Sequence, residues 1–106
     1  MAYWVRNVPD TTKEKPDCGC ESWLDHWKRN SRSITTLECM AIGCRENDRA
    51  YPKGAHVFVR GDIRPHIVPL CAAHNHPENT EEFEVSAAAS PVLAQILPRC
   101  PKSGRA

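Results

Sequence analysis

The chain has 106 residues, a formal net charge of +1, nine prolines and six cysteines. Leu, Ile, Val and Phe together number 19, about 18% of the chain, just under the roughly 20% below which poorly packed sequences are found. A disordered polyelectrolyte would carry far more net charge, so the composition points to one small domain over residues 1–106 whose modest core is held by metal or disulfide staples.

The opening stretch MAYWVRNVPD lacks a basic region followed by an apolar segment, so no secretory signal is read there. Apolar runs reach about five residues, far short of the ~20 that span a bilayer. The expected setting is the reducing cytoplasm, where Cys/His spacings mean metal more often than disulfides. An even cysteine count keeps a disulfide-stabilised redox protein as an alternative.

In chain order, YWVRNV alternates as a short strand does. A polar, proline-bounded loop follows. Ser22 then stands as an N-cap with Asp25 three positions on, and Trp23, Leu24 and Trp27 share one face, which predicts a helix ending near Asn30. SRSITTLE reads as a linker and ECMAIGCREN as a tight turn flanked by cysteines. AHVFV and HIVPL, on either side of RGDIRP, read as a β-hairpin. CAAHNH is expected to begin a helix that Pro77 cuts short. NTEEFEVS is an acidic connector ending in a short strand. In SPVLAQILP, Ser90 and Pro91 favour a helix start, while Val92, Leu93, Ile96 and Leu97 also suit a buried strand.

Most of the chemistry lies in Cys39-x4-Cys44, the hairpin, and Cys71-x2-His74. Zinc takes four sulfur or nitrogen ligands at tetrahedral corners, and two short-spaced pairs brought together by a hairpin supply that set. Gly43, just before Cys44, suits a turn tight enough for backbone N–H groups to approach the sulfurs. A second set is expected from Cys18, Cys20, His26 and Cys100. The pair Cys18-x-Cys20 can face one ion, His26 lies one to two helical turns on, and Cys100 would bring residues 83–100 back to residues 18–30. Closing so long a loop costs a few kcal/mol of chain entropy, against an apparent ~10–16 kcal/mol from a structural zinc. Two Zn2+ ions would use all six cysteines and move the formal charge from +1 to −1. Affinity for phosphate backbones should then be modest.

The arrangement of knuckle, hairpin and second ligand pair resembles the treble-clef zinc fingers, with a core at about residues 37–78. GAHVFV followed by IVPLCAAHN further resembles the HNH, or His-Me finger, endonucleases. That resemblance implies His56 as a general base and Asn75 as a ligand of a catalytic Mg2+. The match departs at Ala55, where many members carry a metal ligand, and no Asn within VFVRGDIRPHIVPL orients the His56 ring. The whole chain is also similar to small bacterial zinc-binding proteins of unknown function that combine a C-x-C, an SWLDHW-like segment, GAHV, PLC and a late cysteine. A zinc deaminase is set aside, because Phe58 stands where its H-x-E glutamate would be.

The expected fold is therefore α+β, a small zinc-stabilised treble clef with an N-terminal strand and helix. The expected function is non-catalytic binding of DNA, RNA or a protein, with Arg45, Arg60 and Arg64 as phosphate contacts. A metal-dependent nuclease using His56 and Asn75 is the first alternative.

Overall fold

The computed structural model describes residues 2–9, 16, 18, 20–31, 37–76 and 78–95. Their elements are β1 (Tyr3–Asn7), α1 (Trp23–Asn30), β2 (Lys53–Val59), β3 (Pro65–Leu70), β4 (Phe83–Val85) and β5 (Val92–Leu93), with one 3-10 turn at Ala87–Ala89. The five strands form one antiparallel sheet in the order β4-β1-β2-β3-β5. The fold class is thus α+β, one helix against one sheet.

The hairpin is the spine of the sheet, since β2 pairs with β3 from Lys53↔Leu70 to Phe58↔Pro65. Its turn closes at Gly61, whose φ of 91° is left-handed backbone that a Cβ would oppose. The strand expected from YWVRNV lies inside the sheet between β4 and β2, with Val5 opposite both Val59 and Phe83. Val5, Val57, Ile67, Val68, Leu70 and Val85 are fully buried. Each contributes about 1.5–3 kcal/mol of transfer free energy, which makes these strands the core.

Helix α1 begins as its cap predicts. The Ser22 hydroxyl accepts from Asp25 N at 3.0 Å, satisfying one of the unpaired first-turn donors. The buried side is His26 and Trp27, with Leu24 only half-buried, so His26 takes the place the apolar pattern assigned to Leu24. Trp27 Nε1 donates to the Ala89 carbonyl at 2.7 Å, tying the helix to the 3-10 turn. The helix start lies so close to β2 that a Cβ on Gly54 would stand 2.3 Å from the Trp23 carbonyl carbon. Only glycine fits there.

Of the two segments read as possible helices, one is cut short as expected and the other takes its strand alternative. The helix from Cys71 is a single turn, closed by Asn75 N donating to Cys71 O at 2.9 Å. The His74 carbonyl is diverted, because it accepts from the Asn7 and Asn79 side chains. Residues 92–93 take the strand alternative: Val92 and Leu93 pair with Ile67 and His66, and Val92 is buried. Ser90 is no N-cap but closes the preceding 3-10 turn at φ 38°. Burial against β3 outweighs the local helix signal of Ser90-Pro91. Ile96 and Leu97 lie outside the described residues.

The β4 edge is covered by the Cys39–Cys44 turn. Ala41 bridges to Val85, Ile42 N donates to Glu84 O at 3.0 Å, and Ser86 N donates to Met40 O at 2.9 Å. A short edge strand capped in this way offers little to a foreign strand.

Candidate metal centres

The first centre forms where the turn, the end of β3 and the loop after it meet. Gly43 adopts φ 79°, and Cys44 N donates to Ala41 O at 3.2 Å, which folds the chain back between Cys39 and Cys44. Met40 N donates to Pro69 O at 2.9 Å and lays this turn beside the end of β3, where Cys71 follows. Asn7 Nδ2, from β1, holds the His74 carbonyl at 2.8 Å and the Asn79 carbonyl at 3.1 Å, fixing the loop that carries the fourth ligand. The His74 ring rests against Phe83, with centroids 5.6 Å apart.

One ligand atom each from Cys39, Cys44, Cys71 and His74 falls within 4.8 Å of the others. Zinc–sulfur bonds of about 2.3 Å at tetrahedral angles would set sulfurs ~3.8 Å apart. Cys44 Sγ and Cys71 Sγ stand 3.8 Å apart, and Cys39 Sγ lies 3.7 Å from His74 Nδ1. The Cys71–His74 edge is shorter, at 3.1 Å. The backbone N–H groups of Cys71 and Ala41 point at the Cys39 sulfur. Even so, burial pushes the metal-free Cys39 thiol up to about 12, and burial raises Cys71 as well. A buried sulfur cluster of this kind ionises readily only with a cation at its centre.

The second centre groups Cys18, Cys20 and His26, again within 4.8 Å. Cys18 Sγ is 3.1 Å from Cys20 Sγ and 3.1 Å from His26 Nδ1, while Cys20 Sγ is 3.9 Å from that nitrogen. The other ring nitrogen, Nε2, lies 2.8 Å from the Leu93 carbonyl on β5. A carbonyl only accepts, so Nε2 carries the proton and Nδ1 turns its lone pair toward the thiols. This outer hydrogen bond is what orients a metal-binding imidazole. Cys100, expected as the fourth ligand, lies outside the described residues.

The two groups are placed to hold metal ions, and each has a donor set that zinc accepts. The five described cysteines are free thiols, so none of them forms the disulfides of the redox alternative.

Of the catalytic candidates, His56 sits under the helix. His56 is 6% exposed, with Trp23 of α1 edge-on to its ring at 4.3 Å. It lies on the helix-covered face of the sheet. Asn7, which grips the His74 loop leading to Asn75, pairs with Val57 and so belongs to the opposite face. The three phosphate-contact candidates differ in their partners. Arg45 is exposed beside the Cys44 turn; Arg60 is held by Glu82, and Arg64 is held by Asp62 through Nε at 3.0 Å and a second nitrogen at 2.8 Å. These carboxylates hold their arginines charged but also neutralise them locally.

Sequence reasoning missed Asn7, the Leu93 carbonyl and the arginine Arg6, whose guanidinium lies 4.6 Å from the centre of the Phe58 ring. Asn7 acts on residues 67 and 72 positions away, which no local pattern announces. Among the described residues, no helix is long and apolar enough to cross a membrane. Comparison with protein-family models, with curated proteins and with solved structures gave no match.

Proposed function

We propose that the chain is a zinc-stabilised binding module of treble-clef type, related to the HNH fingers in architecture but non-catalytic, and that it holds two zinc ions. The observation that carries this reading is the Cys39/Cys44/Cys71/His74 cluster. It offers three sulfurs and one nitrogen with edges close to those of a zinc tetrahedron. Four protein ligands leave no open position at which a metal could activate water, which is the pattern of structural rather than catalytic zinc. Burial of His56 under Trp23 supports the non-catalytic side of the reading, since a general base must reach its substrate's water. Free thiols fit a reducing cytoplasm. The single-domain extent of residues 1–106 and the role of Cys100 as the last ligand at the second centre belong to the same proposal.

Native mass spectrometry beside acid-denatured spectra tests it directly. Two zinc ions per chain, both lost on acidification, are the expected result. A metal-free protein with paired cysteines would end the reading, and a single zinc that Cys20→Ser leaves in place would remove the second centre's share. Incubation with plasmid DNA and Mg2+ should leave the DNA intact. Cleavage that disappears in His56→Ala at unchanged zinc content would make the protein a nuclease.

A further inference from the structure

Beyond α1, the face of the sheet that carries His56 continues into the open, and there it presents alternating rings and guanidinium groups. Arg6 is directly opposite Phe58, with its guanidinium 4.6 Å from the ring centre. One step along, Arg60 N donates to Trp4 O, and the Arg60 guanidinium lies 4.9 Å from the Trp4 ring. Arg6 is exposed and Trp4 is 41% exposed. A shallow pocket of about 270 Å³ opens beside them, lined by Arg6, Phe58, Arg60, Gly61 and Glu82 among others. We propose that this surface is a stacking platform for single-stranded nucleic acid, with neighbouring bases lying on the Arg6–Phe58 and Trp4–Arg60 pairs. It rests on the reading of the chain as a binding module and names the partner.

Geometry and charge together choose this occupant. The two ring–guanidinium pairs are two residues apart along β1, about 7 Å, a step that adjacent bases of an extended single strand can follow. Each pair is a flat, cation-faced surface, and every base offers a π-face to such a surface whatever its sequence. A purely ionic partner such as an acidic peptide would need unpaired cations. Arg60 is already gripped by Glu82 through Nε at 3.0 Å and a second nitrogen, and Arg64 by Asp62. Among the described residues, Arg6 makes no ion pair within 4.0 Å, although it lies near enough to favour the charged form of Glu82. What remains is mostly stacking, with about one arginine left for phosphate. Glu82 is then a positioning residue: it holds Arg60 flat over Trp4 at the expense of that arginine's charge.

The test uses the zinc-loaded full chain and a fluorescently labelled ten-base oligothymidylate or oligouridylate, read by anisotropy across a salt series. Binding is expected at low salt, with log–log salt dependence near −0.7, the value for one phosphate contact by a single strand. Trp4→Ala should weaken it by roughly 10-fold, the scale of one lost base stack. Arg6→Gln should weaken it and remove most of the salt dependence. Glu82→Gln frees the Arg60 charge and should steepen the salt dependence, which a merely structural carboxylate would not do. Zinc counted by mass in every variant separates a failed platform from a failed fold. The proposal is overturned by absence of binding in the wild-type chain at two zinc ions, by affinity unchanged in both Trp4→Ala and Arg6→Gln, or by tighter binding of an oligoglutamate peptide than of the oligonucleotide.

Discussion

The two metal centres are built in opposite ways. The first draws Cys39 and Cys44 from the turn, and Cys71 and His74 from beyond a hairpin, so its ligands cross-link segments up to 35 positions apart inside the buried core. The three described ligands of the second lie within nine consecutive residues, 18–26, and the hydrogen bond from His26 to Leu93 carries its influence to β5. Closing a long loop removes more freedom from the unfolded chain than ordering a short one. A metal at the first centre therefore belongs to the stability of the whole sheet. At the second, the three described ligands tie it to the seating of α1, and Cys100 as the proposed fourth would add a long closure of its own.

The largest test of that contrast is a pair of substitutions. Cys44→Ser should abolish the cooperative thermal transition and one zinc, because a structural zinc carries ~10–16 kcal/mol of apparent binding free energy, comparable to the whole stability of a small domain. Cys20→Ser should lose the other zinc while the sheet still melts cooperatively, and near-ultraviolet circular dichroism should report a loosened Trp27. Equal damage from both would erase the distinction.

Gly54→Ala separates helix seating from metal. The added methyl meets backbone rather than a pliable side chain, so about 3 kcal/mol is expected, the upper end of overpacking costs. Urea denaturation should show the loss with the first centre's zinc retained. Asn7→Ala probes the first centre from outside its ligands. It removes two hydrogen bonds to loop carbonyls but also the buried Asn7 Oδ1, which has no partner among the described residues, and should cost about 1–2 kcal/mol. Faster zinc transfer to a chelator would accompany it.

The smallest effect is ionic. Burial raises the Cys39 thiol above its ordinary value of 9.0, to about 12. Its neutral form therefore stabilises the metal-free fold below pH about 9, and that contribution fades as pH climbs toward 12. Zinc requires thiolates, so uptake at pH 7 should release at least the protons of Cys39 and Cys71. Titration calorimetry in buffers of different ionisation enthalpy counts them.

Much of the first centre was legible, because its two ligand pairs have short spacings and the hairpin between them has clear alternation. The cap at Ser22 and the strand ending in Val85 were legible for the same local reason. Less could be read where residues far apart in sequence decide the outcome. Val92 and Leu93 become a strand only because β3 offers them an edge, and the loop after Cys71 stays a single turn because Asn7 claims a helix carbonyl. The match of His56 and Asn75 to a nuclease pattern said nothing of burial, and the sheet sets His56 under Trp23 of α1. The platform residues Trp4 and Arg6 gained meaning only when β1 was found next to β2.

That position of β1 bears on the order in which the molecule assembles. The first strand in the sequence is an interior strand of the sheet, and the neighbours that cover its two edges follow it by about 50 and 80 residues. Until both arrive, an apolar strand waits with two open edges, and the search to pair it is one of long loop closures, which fold slowly. The β2–β3 hairpin, a local structure that forms in microseconds, is the natural template for it. Refolding from denaturant should then show the hairpin and the knuckle metal taking shape before the N-terminal strand docks, with β1 the slowest and most aggregation-exposed step of the pathway.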